Sequence, residues 1–144
     1  MTLHLDSVKI WDARNGCLLS AHRGLAKNGA ELTCCCLDDR ERKLFIGDSH
    51  GKISAINVKN GATLRKFERH TAKDSGNSSK EKKNKEIITD LCYFARKKLL
   101  VSSSRSNSVK IHDDSSSDPN KSRNFERKAL FILSFSFMKS DIFL

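Results

Sequence analysis

A chain that repeats itself at a fixed interval folds as a stack of like units, and this one repeats. The segment SVKIWDARNG from Ser7 is answered by KISAINVKNG from Lys52 and by SVKIHDD from Ser108. Asn15-Gly16 returns as Asn60-Gly61 after 45 residues, and Ile53 returns as Val109 after 56. The difference of 11 residues falls in a polar stretch at 73–86. The segments ahead of these also align, without a gap: AELTCCCLDDRERKLFIGDSHGKI from Ala30 lies on EIITDLCYFARKKLLVSSSRSNSV, which ends at Val109. Leu32 then falls on Ile88, Thr33 on Thr89, Cys36 on Cys92 and Leu44 on Leu100. A unit this short cannot bury its own apolar face, so the core has to come from stacking one copy on the next.

Short apolar or alternating runs, β-branched residues and turn residues make each unit a set of strands. They are expected at 8–11, 17–21, 32–37, 44–47, 52–58, 63–67, 87–93, 99–102 and 109–112. Asn15-Gly16 and Asn60-Gly61 read as hairpin turns, because both residue types tolerate positive φ. A third turn is expected at Ser49-His50-Gly51. No helix is expected ahead of the C-terminal tail. Within residues 129–144, Phe131, Leu133, Phe135 and Phe137 partly alternate with smaller residues. That pattern suits an outer strand of the last unit, a helix, or sequence unrelated to the repeat.

At this point the chain resembles the WD-repeat β-propeller family. Trp11-Asp12 closes a strand as the Trp-Asp dipeptide does there, with Asn57 and Asp113 at the position of Asp12; the likeness covers about residues 5–114. What the resemblance implies is an all-β fold: an incomplete propeller of antiparallel blades with an irregular or helical C-terminal tail. It divides the chain into a partial first blade of outer strands (1–29), a second blade (30–69), a basic disordered insertion (70–86), a third blade (87–114), and a polar linker with an apolar tail (115–144). The structural repeat positions are Trp11, Asp12, Gly16, Gly47, Gly51, Asn57, Gly61 and Asp113. Two and a half blades do not close a ring. The expectation is therefore a fragment of a longer propeller, a shortened product, or a unit completed by another chain. Ile56 and His112 stand where the first copy has Trp11, and His22 and His70 are the nearest candidates for the family's Gly-His histidine. The buried Asp-His-Ser-Trp hydrogen-bond set is thus expected to be incomplete. The phrase from Glu31 to Gly61 is also similar to WD-repeat proteins of cilia and flagella.

The function this implies is a non-catalytic scaffold for protein partners, with no cofactor. Gly47-Asp48-Ser49-His50-Gly51 formally matches a nucleophile elbow, but that device needs a helix after the serine, and the strand-like KISAINV follows instead. Cys34, Cys35 and Cys36 are adjacent, so on a strand they point to alternate faces and do not converge on a metal. Five cysteines without framework spacing, and no signal peptide, fit a cytoplasmic setting, and the resemblance implies a cytoskeletal or ciliary one within it. The longest apolar run, at 129–137, is too short for a membrane span. The net charge of +10 brings in the alternative, a basic surface that binds nucleic acid or anionic partners. Its candidate residues are Lys80, Lys82, Lys83 and Lys85, in the polar insertion; the same loop would serve for docking a protein.

Overall fold

A computed structural model describes residues 1–71, 86–106 and 108–116, together with the backbone of 122–125. The strands are β1 (Thr2–His4), β2 (Ser7–Trp11), β3 (Leu18–His22), β4 (Leu32–Leu37), β5 (Lys43–Asp48), β6 (Ile53–Asn57), β7 (Thr63–Lys66), β8 (Ile88–Phe94), β9 (Leu99–Ser104), β10 (Val109–Asp113) and β11 (Ser122–Phe125). They form three antiparallel sheets, ordered β1-β2-β3, β4-β5-β6-β7 and β8-β9-β10-β11. Each is a meander in which every strand pairs with its neighbour in sequence. The sheets stand face to face and do not close.

The second sheet is the middle layer, and the pleat of β5 shows how it serves two cores. Leu44 and Ile46 point one way, into a cluster with Val8, Leu32 and Ile56 against the first sheet. Phe45 points the other way, with Ile53, Ala55 and Phe67, against Ile88, Leu91 and Leu100 of the third sheet. Successive strand residues alternate faces, so a run apolar on both phases is what a strand buried on two sides requires. Phe45 is fully buried, stacks on Tyr93 at 4.8 Å between ring centroids, and lies 6.0 Å from Phe67. Gly47 allows the two sheets to meet. A Cβ there would lie 2.8 Å from both Cys34 Sγ and Ile88 Cγ2.

The repeat is preserved down to its irregularities. A β-bulge falls between Leu32 and Cys34 in the second sheet and between Ile88 and Asp90 in the third, which are aligned positions. Another falls at Ile10/Trp11 in the first sheet and at Ala55/Ile56 in the second. At the ends of the third strands, Asp12, Asn57 and Asp113 each accept a backbone N–H two residues on, from Arg14, Lys59 and Ser115 at 2.8–2.9 Å. These acceptors turn the chain out of the strand, which is why Asn serves as well as Asp at this position.

Several expectations need correction. The Asn-Gly turns are not two-residue turns with paired positive φ: only Gly16 (φ 71°) and Gly61 (φ 70°) are left-handed. Asn15 and Asn60 act through their side chains, accepting the N–H of Cys17 and Ala62 at 2.9 and 3.0 Å. The amide of each glycine closes on the carbonyl of Asp12 or Asn57 at 2.8 Å, making a wider connection. The first sheet has a strand, β1, ahead of the one with which the repeat begins. Between β8 and β9, where no helix was expected, lies a single 3₁₀ turn, Ala95–Lys97, closed by Lys98 in the left-handed region. The outer strand of the third sheet is β11, in register with β10, and it lies upstream of the phenylalanine-rich stretch. Phe131, Leu133, Phe135 and Phe137, like Lys80, Lys82, Lys83 and Lys85, lie outside the described residues.

Candidate functional site

A buried polar series runs from the segment after β7 into the third sheet. His70, delivered by the segment after β7, is fully buried, and so are Ser102 on β9 and His112 on β10. Ser102 Oγ sits between the rings, 2.8 Å from His70 Nε2 and 2.9 Å from His112 Nε2. His70 Nδ1 lies 2.9 Å from Ser108 Oγ, which is 2.7 Å from Ser104 Oγ, and Ser104 donates to Glu86 Oε2 at 2.8 Å.

The partners fix which atom donates at each step of this series. A carboxylate only accepts, so Glu86 orders the whole series. Ser104 donates to it, Ser108 donates to Ser104, and His70 donates through Nδ1 to Ser108. His70 Nε2 is then an acceptor for Ser102, and Ser102 accepts from His112 Nε2. One atom is left over: His112 Nδ1 is buried without a partner among the described residues. As a bare lone pair it is a smaller penalty than an orphaned N–H would be.

Both rings are held neutral. Burial first, then the Lys110 ammonium, pushes His70 down to about 4, with Glu86 opposing. Burial, then His70, Lys110 and Arg65, pushes His112 down to about 3. The Lys110 Nζ is itself engaged by Glu68 and by the Arg69 carbonyl at 2.9 Å.

The register explains how His112 replaces a tryptophan. Lys9 pairs with Thr2 and Lys110 pairs with Ser102, so Thr2 and Ser102 are equivalent. In the first sheet Trp11 Nε1 donates to Thr2 Oγ1 at 3.0 Å; in the third, His112 Nε2 donates to Ser102 Oγ. An imidazole with its proton on Nε2 thus presents the same donor as an indole. In the second sheet the equivalent pair is Ile56 and Ile46, so donor and acceptor are both replaced by apolar groups and neither is orphaned. Of the expected Asp-His-Ser-Trp set the third sheet thus keeps His and Ser, with His112 in the place of Trp and Glu86, reached through Ser104 and Ser108, supplying the acid. The first copy's Trp11 is 38% exposed, as is much of its sheet's outer face: Leu18 is 49% exposed and Leu19 64%.

Two of the repeat glycines pass close to neighbouring groups. Gly51 (φ 79°) passes so close to the segment entering the third sheet that a Cβ would lie 2.5 Å from the His70 carbonyl and 2.8 Å from that of Glu86. A Cβ on Gly61 would lie 2.7 Å from the His22 ring, whose Nε2 bonds the Val58 carbonyl at 2.7 Å. Ser49 accepts the Glu31 N–H at 3.0 Å within the turn from β5 to β6, and no helix follows it, so the five-residue match is a hairpin turn. Cys34 and Cys36 face the third sheet while Cys35 faces the first. Burial pushes the Cys34 thiol up to about 12 and raises Cys35 and Cys36 as well. Among the described residues no three His, Cys, Asp or Glu side chains are grouped to hold a metal, and no helix is long and apolar enough to cross a membrane.

No protein-family profile matches the chain. Over 67 residues it is 31% identical to the cilia- and flagella-associated protein 337 B of Tetrahymena thermophila. That match covers 46% of this chain and 5% of the relative, so the chain spans a small fraction of that protein's length. Among solved structures, a chain of the crystal structure of a mitotic checkpoint complex superposes with a TM-score of 0.61, at 18% identity. The superposition covers 80% of this chain and 30% of that one, and the likeness shows the fold: open, antiparallel and propeller-like.

Proposed function

We propose that the chain is a non-catalytic protein-interaction scaffold of the WD-repeat type, made of blades that belong with further blades on the same or another chain. One observation carries this reading: the first sheet buries one face on the second sheet and leaves the other, with Trp11 and Leu18, open to contact. Large apolar side chains clustered on an open sheet face mark a protein contact. The buried histidine–serine series is sealed from solvent and serves cohesion. The likeness to a cilia- and flagella-associated protein supports a cytoskeletal or ciliary setting.

The test is a photo-crosslinking residue at Leu18, compared with one at exposed Asn28, in cells expressing the chain. A discrete set of protein adducts from the Leu18 position, lost in Trp11→Ala, is expected. Adducts to nucleic acid alone, or equal yields from both positions, would overturn the reading in favour of a basic nucleic-acid binder.

A further inference from the structure

The second sheet lacks the polar pair that plugs the third, and a cleft lies where the pair would stand. Ile46, Ser54 and Lys66 are cross-strand partners in one row, and Ile56 and Thr63 form the next, so all five share the face turned toward the first sheet. The first sheet covers the inner part of that face, at Leu32 and Leu44. Farther out, the connection from β3 to β4 arches over it and leaves a cleft of about 530 Å³. Its floor is apolar, Ile46 and Ile56 with half-buried Leu25. Its rim carries four cations, Arg23, Lys27, Lys52 and Lys66, against one carboxylate, Asp48.

That carboxylate is already committed, since Asp48 Oδ1 accepts the backbone N–H of His50 and Lys52 at 2.9 and 2.8 Å. None of the four cations makes an ion pair with the described residues. Four cations without an ion pair among the described residues, around a low-dielectric floor, focus a positive potential there. Elsewhere the same chain neutralises the cations it places between sheets, as Lys43 with Asp114 at 2.7 Å and Lys110 with Glu68 show. The chain's own remaining segments have the wrong charge to fill the cleft. Residues 72–85 carry Lys73, Lys80, Lys82, Lys83 and Lys85 against Asp74 and Glu81, and 126–144 carry Arg127, Lys128 and Lys139 against Glu126 and Asp141, so both are net basic.

We infer that this cleft is a docking site for an acidic segment of a protein partner, with carboxylates on the cationic rim and one aliphatic side chain on the Ile46–Ile56 floor. This inference rests on the scaffold reading and gives that scaffold a partner chemistry. Charge sets the encounter, and the apolar anchor adds affinity and register.

The experiment uses the full chain and a fluorescein-labelled Asp/Glu-rich peptide bearing a single leucine, followed by anisotropy. Saturable binding is expected, weakened about ten-fold or more by Arg23→Glu with Lys66→Glu, a change of about 1.4 kcal/mol per ten-fold. Lys9→Glu with Lys59→Glu, of equal charge change but outside the cleft, is expected to leave it within about two-fold. Replacing the peptide's leucine by serine is expected to weaken it as well. Circular dichroism and urea midpoints check that the variants are folded, and Arg23→Gln with Lys66→Gln supplies a milder pair. Equal losses from both charge-reversal pairs would overturn the site. Tighter binding of a thymidine homopolymer of the same charge would overturn the partner class. No binding of the peptide would overturn the inference alone, because the Trp11–Leu18 crosslinks report on the scaffold reading independently.

Discussion

Lowering the pH tests the buried histidine pair directly. In the unfolded chain both imidazoles protonate near the ordinary value of 6.5, whereas in the fold His70 is held down to about 4 and His112 to about 3. The unfolded state therefore binds more protons below pH 6.5, so acid favours unfolding. The stabilisation is fully present above 6.5, is lost as the pH falls toward the folded values, and stops changing below them. Each histidine contributes a slope of about 1.4 kcal/mol per pH unit. Between pH 7 and 5 the two together remove about 4 kcal/mol, a large part of the ~5–15 kcal/mol that holds a domain folded. Urea unfolding followed by far-ultraviolet circular dichroism at pH 7, 6 and 5 measures this through the midpoint at constant m. His112→Gln, which keeps an amide beside Ser102 but does not titrate, is expected to halve the loss to about 2 kcal/mol. A midpoint unchanged between pH 7 and 5, or a pH slope in His112→Gln equal to that of the parent, would refute the neutral, buried pair.

Three further outcomes follow from the packing. Gly51→Ala forces a side chain into the left-handed region and sets its Cβ 2.5 Å from the His70 carbonyl; a loss of about 3 kcal/mol or more by urea titration is expected, because backbone has to move. Phe45→Ala empties the centre of the interface between the second and third sheets, where Phe45 is fully buried; about 3–5 kcal/mol is expected by the same titration, and a loss under about 1 kcal/mol would contradict the assigned core. Cys17 is exposed while Cys34 is buried, with its thiol pushed up to about 12. Dithionitrobenzoate at pH 8 is therefore expected to label Cys17 rapidly and Cys34 only at the rate of unfolding, read by peptide mass mapping.

Much of the fold was legible in the sequence because a repeat is a statement about packing. The gapless alignment of 30–53 on 86–109 carried the strands, and even placed Thr33 and Thr89 at what prove to be matching bulges. β1 was missed because three residues at a sheet edge carry too little periodicity to register. Ser122–Phe125 was passed over for the more apolar Phe131–Phe137 stretch, although an outer strand needs partners on one side only. For the site, Lys80, Lys82, Lys83 and Lys85 are legible as a basic run because they are neighbours along the chain. The cationic rim is invisible in that form, because Arg23, Lys27, Lys52 and Lys66 are scattered over more than forty residues.

The sequence by itself determined the unit, its period, its strands and its turn residues, since side-chain alternation and Asx–Gly turns are local physics written into neighbouring positions. Only the tertiary structure decided which polar residues meet. His70 reaches Ser102 across 32 residues, Ile46 and Ile56 replace donor and acceptor together, and four distant cations surround one floor. Hydrogen bonds and fields depend on distances of a few ångströms in space, and the register between strands fixes those distances only once the sheets have stacked.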